Sequence, residues 1–441
     1  MTASEVQSRQ HLLKILGVSF GVAVAIGQTI GSGILRSPSI IAGEVPGMGL
    51  ILGLWLLGAV QALSSANIVA ELGTALPKSG GVYVYARRAL GDVGGLVVGW
   101  TDWLSNIAGA AAASVSFGEF LPLLWPAAGA HKIAVALALQ IALYATNIAG
   151  LREGRAVQEV TSFIKAAMLI LFIVTAAVIV APPEPETILS SPVAFHWANI
   201  VLAYQLIIGA YAGWNTPINF AGENVAPEKS IPRALLYGIL LTGGIYMGVN
   251  AALLHTLGTS GVASSPLPFT VVLKSVGGAV PSILFALTAM ITVASCCNAT
   301  IMAASRIIFA LASDHLLPHR MAAVNQGGSP FIGFLFSSIL SLALAATGAF
   351  ALVFGLIGTL NTAAGFLVDC SFFVLRRREP GLARPYRAMF YPVLPLLQLC
   401  WDGMVLVLFG YADRLGVAVA LGLALLCIPF ALVARRVRKT G

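Results

Sequence analysis

The feature that most constrains this chain is a series of long apolar stretches, bounded by charge, Pro or Gly, each near or above the ~20 residues needed to cross a hydrocarbon layer. They run about 12 to 44, 47 to 76, 93 to 124, 131 to 149, 158 to 181 and 197 to 225, then 233 to 258, 278 to 313, 330 to 348, 351 to 375, 388 to 410 and 414 to 434. The expected fold class is therefore an all-α membrane protein of about 12 transmembrane helices. Charged residues make up 10% of the 441, against ~25% in soluble domains, which excludes a soluble enzyme. The net charge of +8 comes from short clusters between apolar runs. No basic stripe follows one element, so membrane lipids and not nucleic acid are the expected neighbours.

Basic residues orient the spans. With the amino terminus inside, every Lys and Arg falls in an inner segment except Lys132, Lys274 and Arg414 outside and Arg36 and Lys165 within the membrane; this places both termini in the cytoplasm. Arg9 and Lys14 precede the first run as in a signal peptide, but that run is too long and lacks a small-residue cleavage site, so the amino terminus is expected to be retained. The five cysteines all sit inside apolar runs and are read as small core residues.

Two apolar stretches are poor continuous helices. The first contains Gly27-Gln28-Thr29-Ile30-Gly31-Ser32-Gly33-Ile34 near the membrane midplane, and the sixth contains Gly209-Ala210-Tyr211-Ala212-Gly213-Trp214-Asn215-Thr216-Pro217. Small residues also favour close helix packing. Two breaks about 180 residues apart, in the first and sixth segments, instead match five helices repeated with inverted topology. An interrupted helix leaves amides unpaired where its second half starts and carbonyls unpaired where its first half ends. Amides around Ser32 and Gly33, with the Ser32 hydroxyl, suit a carboxylate; carbonyls near Thr29, Gly209 and Ala212 suit an ammonium. The expected ligand is an α-amino acid. A side chain at Gly33 is expected to block the amides while sparing the fold, and an aromatic at Gly209 to narrow the pocket.

These residues are familiar as a set. Gly31-Ser32-Gly33-Ile34 followed by Pro38, Glu71-Leu72-Gly73 with Pro77-Lys78-Ser79-Gly80-Gly81, and Tyr211-Ala212-Gly213-Trp214-Asn215 resemble the amino acid-polyamine-organocation superfamily. The closest pattern is the L-type amino acid transporter family and its bacterial relatives, and the likeness extends from the first segment through Ser305-Arg306. The resemblance implies a LeuT-like five-plus-five inverted repeat. Its divisions would be a cytoplasmic tail at 1–11, repeats at 12–196 and 197–375, peripheral helices 11 and 12 at 376–434, and a basic tail at 435–441. It implies sodium-independent transport of neutral L-amino acids across a bacterial inner membrane, by exchange or proton coupling, with no cofactor and no metal. Substrate would meet Thr29, Ile30, Gly31, Ser32, Gly33, Gly209, Ala210, Tyr211, Ala212 and Trp214. Gly209 stands where the family often places an aromatic gate. The loop at 125 to 132 has no Cys, so no disulfide-linked heavy chain is expected.

Lys165 lies about seven residues, ~10 Å, into the fifth span. It either snorkels to the inner interface or, as the resemblance implies, occupies the space of a sodium ion and braces the broken first helix against the eighth. Tyr246 matches a family tyrosine that accepts from Lys165 or reaches substrate, with plain packing as the alternative. Asn298 is a candidate pocket or brace residue, with plain interhelical hydrogen bonding as the alternative. Asp102, Glu119, Asp369 and Asp402 sit at or near membrane depth, where each relays protons or faces water or an Arg; Asp102, at a depth comparable with Lys165, is the one placed to pair with it. Three rivals remain. A membrane-embedded enzyme lacks a nucleophile–base pair or zinc spacing among its histidines. A transporter-like sensor would bind without moving substrate. A cationic amino acid or polyamine exchanger would need a carboxylate that the pocket segments do not obviously supply.

Overall fold

A backbone surrounded by hydrocarbon must satisfy its polar groups internally, and helices do this within one segment. The computed structural model describes residues 17–78, 80–148, 155–179, 194–323 and 331–429, and every regular element among them is helical. The tails at 1–11 and 435–441 lie outside the described residues. The α-helices are α1 (Val18–Thr29), α2 (Ser32–Glu44), α3 (Met48–Ala75), α4 (Tyr83–Phe120), α5 (Lys132–Ile148), α6 (Arg155–Ile179) and α7 (Trp197–Tyr211). They continue with α8 (Pro227–Ala263), α9 (Pro268–Gly277), α10 (Ala279–Ser313), α11 (Phe331–Ala346), α12 (Phe350–Arg378), α13 (Val393–Ala412) and α14 (Arg414–Leu425).

Seven of these are long and apolar enough to cross a membrane, and the bent pair α1–α2 makes up to eight. The other expected spans are represented by α7, α11 and α14, which are shorter, and by α4, which is long but more polar. The third span differs from expectation: α4 begins at Tyr83 rather than near 93 and kinks at Gly91, φ 79°. Its added turns are amphipathic. Arg87 pairs with Asp92 and Asp314, and Arg88 with Glu379 at 2.8 Å, which carries the helix past its apolar run. Together with Glu71, held by Arg376 and by Arg384 at 3.1 Å, these pairs mark a basic end of the bundle. At the distal end Arg36 meets Glu119 at 2.8 Å and lies 5.8 Å from the Phe350 ring centre.

The hydrophobic pattern is inverted relative to a soluble domain. Phe163, Leu171 and Val178 of α6 point outward, with Phe163 74% exposed, while Ser162, Lys165, Leu169, Phe172 and Ala176 form the buried stripe of the same helix. The three-and-four spacing turns this stripe toward the protein. Polar residues such as Asn67, Gln140, Gln205, Asn250, Asp369 and Asp402 are likewise buried. The centre is α4, which packs along both α10 and α12 through an alanine-rich face. Small residues bring α1 against α8: a Cβ at Gly21 would lie 2.6 Å from the Ala234 Cβ, and one at Gly238 2.8 Å from that of Ala25.

Candidate substrate site

Both anticipated breaks are present. The chain bends by 41° between α1 and α2, with Ile30 and Gly31 in extended conformations between them. No side chain caps α2, so its first-turn amides have no helical acceptor. In the sixth segment α7 stops at Tyr211; Gly213 adopts φ +100° and a 3₁₀ turn follows over Thr216–Glu223. Gly213 is required twice, for its left-handed backbone and because a Cβ there would sit 2.8 Å from Gln28 Cγ.

The two breaks face one cavity of about 600 Å³ including its mouth, lined by Thr29, Gly31, Ser32, Gly33, Gly209, Ala210 and Ala212. Ile30 does not line it; its side chain is fully buried in the core. Tyr211 and Trp214 belong to an adjoining cavity of about 770 Å³ that shares Asp102, Ala212, Gly213, Asn215 and Asn361 with the first. Sequence reading did not place the polar wall opposite the breaks. Gln28 donates from Nε2 to Asn106 Oδ1 at 3.0 Å, and its Oε1 accepts from the Thr216 hydroxyl at 2.9 Å. It thereby ties the end of α1 to α4 and to the turn beyond α7. Ser105 donates to Asn361 Oδ1 at 3.2 Å across α4 and α12.

Carbonyl supply differs from expectation. At the end of α1, the Gly27 oxygen accepts from Lys165 Nζ at 2.9 Å, that of Gln28 from the Cys296 thiol at 3.4 Å, and that of Thr29 from the Tyr246 hydroxyl at 2.7 Å. The Gly209 oxygen accepts from the Ala212 amide at 3.1 Å. Thr29 and Gly209 therefore each offer an ammonium a carbonyl that already accepts one hydrogen bond, with its second lone pair remaining. Asp102, whose Oδ1 is 3.4 Å from Asn106 Nδ2, lies in the cavity wall and brings a carboxylate there.

Lys165 is 1% exposed and reaches α1, so it does not snorkel. Asp102 lies in the cavity wall, beside Gly81 and Asn106. Tyr246 neither accepts from Lys165 nor lines the cavity: its hydroxyl is shared between Thr29 O and Ala210 O, the latter at 3.1 Å, and so bridges the two breaks. Its ring packs on Trp55 and Tyr211 with centroids 5.4 and 5.1 Å apart. Asn298 makes the interhelical hydrogen bond of the alternative reading: its Oδ1 accepts from Asn147 Nδ2 at 2.6 Å and ties α10 to α5.

An aromatic does stand beside Gly209, contributed by another helix. A Cβ at Gly209 would come within 3.0 Å of the Phe354 carbonyl and 3.1 Å of its ring, and a Cβ at Gly33 within 3.0 Å of Phe354 Cζ and 2.7 Å of Ala210 Cα. A leucine at 33 would thus disturb the α2–α7 contact as well as mask the amides, contrary to the sequence expectation. No sequence signal marks Phe354, one phenylalanine in an apolar run.

This arrangement offers uncapped amides to an anionic group, a carboxylate and several amide side chains on the facing wall, and an apolar lid at Phe354, as a small zwitterion requires. The amino acid permease family model matches residues 16–433. The chain is similar to the serine/threonine exchanger SteT of Bacillus subtilis (strain 168), 27% identical over 96% of this chain and 98% of the relative. The branched-chain amino acid permease BcaP of the same strain is 24% identical over 91% and 89% of the two chains. The human large neutral amino acids transporter small subunit 2 is 24% identical over 95% and 80%. The chain therefore belongs to the amino acid permease family, within the amino acid-polyamine-organocation superfamily, and is an integral membrane amino acid transporter, not an enzyme.

Proposed function

We propose that this chain is a sodium-independent secondary transporter of small neutral L-amino acids, working by alternating access in a bacterial inner membrane with both termini cytoplasmic. The proposed architecture is the LeuT-like five-plus-five repeat with spans divided at 12–196, 197–375 and 376–434. The observation that carries the reading is the buried, uncapped start of α2 inside a polar cavity, held from behind by Lys165 on Gly27 O at 2.9 Å. The amides and helix dipole would receive the substrate carboxylate; Asp102 and the Ala212 region would receive the ammonium. The Lys165 ammonium supplies a fixed positive charge beside the break, where a sodium ion at ~4 Å would be repelled by several kcal/mol when partly desolvated. Size restriction is supported by Phe354, which closes over Gly33 and Gly209. Similarity to a serine/threonine exchanger and to a large neutral amino acids transporter subunit supports a neutral substrate.

A second reading, exchange of cationic amino acids or polyamines, is favoured by one observation: Asp102 lines both cavities. Counterflow in proteoliposomes, with unlabelled amino acids and polyamines as competitors, separates the two. Competition by serine, threonine or alanine, undiminished when choline replaces sodium, supports the first reading. Competition by lysine or putrescine alone, or a strict sodium requirement, overturns it.

A further inference from the structure

The adjoining cavity holds two carboxyl groups that substrate capture does not use. Asp369 on α12 and Asp402 on α13 both line it and each is 2% exposed. Asp402 Oδ2 would lie 3.0 Å from a Cβ at Gly365. Gly365 and Asp369 are four residues apart on α12, so the two carboxyl groups share one helix face within about a turn. Asp369 Oδ2 is buried without a hydrogen-bond partner, although a buried polar atom is normally satisfied.

Hydrogen bonding fixes which oxygen is spare. Trp401 Nε1 donates to the Tyr204 oxygen at 3.3 Å, and the Tyr204 hydroxyl donates to Gln61 Oε1 at 2.6 Å. Gln61 must then turn its amide nitrogen to Asp402, and Nε2 donates to Oδ1 at 2.8 Å. Gln398 Nε2 donates to the same oxygen at 2.9 Å. Oδ1 is thus saturated with donors, while Oδ2 faces the α12 wall. Among the described residues no Lys or Arg forms an ion pair with either carboxyl group. Other ionisable groups on the surrounding elements include Asp102 from α4, Tyr204 and Tyr211 from α7, Cys370 and, at the far end, Arg376, Arg377 and Arg378 on α12, Cys400 and Tyr411 on α13, and Asp413 and Arg414 at the start of α14. Glu71 of α3 lies toward the basic end, held by Arg376 and Arg384.

We propose that Asp369 and Asp402 form a proton-binding site, separate from the substrate site, that holds one exchangeable proton between their Oδ2 atoms. Two adjacent carboxylates almost wholly buried, with no cation paired to them among the described residues, cannot both stay charged. A proton on one Oδ2 lets it donate to the other and satisfies the orphaned atom of Asp369. The proton arrives from water in the cavity that also reaches Asp102, Asn215 and Asn361 at the substrate site, and it leaves by the same route. The proposal names the coupling ion of the transporter read above and rests on that reading for its link to flux, although the binding step does not.

Infrared difference spectroscopy of the purified, full-length protein titrated with acid tests it. The expected result is a protonated-carboxyl band that appears with falling pH and is lost in both Asp369→Asn and Asp402→Asn, together with loss of the pH dependence of counterflow in each. Absence of the band in the wild type overturns the proposal, and that measurement needs no variant to fold. Persistence of the band in both Asn variants assigns it elsewhere and overturns it, as does its displacement by sodium or potassium at constant pH, which would make the pair a metal-ion site. A band present without amino acid transport keeps the proton site and refutes the transporter reading; transport without the band does the reverse.

Discussion

Replacing Gly33 by alanine perturbs the proposed carboxylate site with a single methyl group. The added Cβ would stand 2.7 Å from Ala210 Cα and 2.9 Å from Ala210 Cβ. Ordinary contact begins near 3.4 Å, and backbone on α7 cannot rotate aside as a flexible side chain does. The start of α2 must therefore retreat by about 1 Å, enough to break a hydrogen bond of ordinary length. Losing one amide-to-carboxylate hydrogen bond costs about 1.5–3 kcal/mol, or about 10- to 100-fold in affinity at ~1.4 kcal/mol per decade. Half-saturation of counterflow should rise by that factor in protein that remains monodisperse in detergent. The control is Gly53→Ala on α3, where a Cβ meets nothing within 4 Å; its half-saturation should not change. Equal half-saturation in Gly33→Ala and the parent would refute the assignment of these amides to the substrate carboxylate.

Other outcomes follow from the same geometry. Lys165→Ala removes a charge-assisted hydrogen bond from Gly27 O, worth about 1.5–3 kcal/mol, and should lower counterflow at least about tenfold; full flux in the variant would reduce Lys165 to a filler. Phe354→Ala opens the space over Gly33 and Gly209, so leucine should compete better relative to serine, and an unchanged competition profile would place the size limit elsewhere. Glu71→Gln weakens an acceptor that is 1% exposed and serves Arg376, Arg384 and the Ala388 amide. Since unbalancing a buried pair costs about 3–5 kcal/mol, its thermal midpoint in detergent should fall by several degrees, with a parental midpoint counting against this cluster as a structural tie.

The breaks could be read ahead of the structure because glycine, proline and polar side chains inside an apolar run conflict with a continuous membrane helix. Lys165 was similarly visible, since an ammonium in such a run needs an internal partner, and its place on the stripe of Ser162, Leu169 and Phe172 points it inward. Asn106 and Asn361 carried no comparable signal: one amide in a long helix does not disclose which neighbour its face meets. Phe354 was hidden for the opposite reason, as its residue type is common in every lipid-facing stretch. Tyr246 was visible as a polar group at depth, but its bridge between Thr29 and Ala210 depends on two remote segments arriving at one point. The early start of α4 escaped an apolarity criterion because its first turns are held by ion pairs near Arg87 and Arg88.

The final carbonyls of α1 also determine which parts of the bundle travel together. Gly27, Gln28 and Thr29 are consecutive, yet they are fastened to three different helices: α6 through Lys165, α10 through Cys296 and α8 through Tyr246. A tilt of α1 alone would break all three attachments at once. The Tyr246 bridge also reaches Ala210, so α7 is drawn into the same assembly. Because α10 also packs along α4, motion during transport is expected to part α1, α6, α7 and α8 from the α4–α10–α12 wall across the cavity, with the substrate lying on the parting surface. Gln28 crosses that surface to Asn106, which makes it the contact whose exchange accompanies each opening.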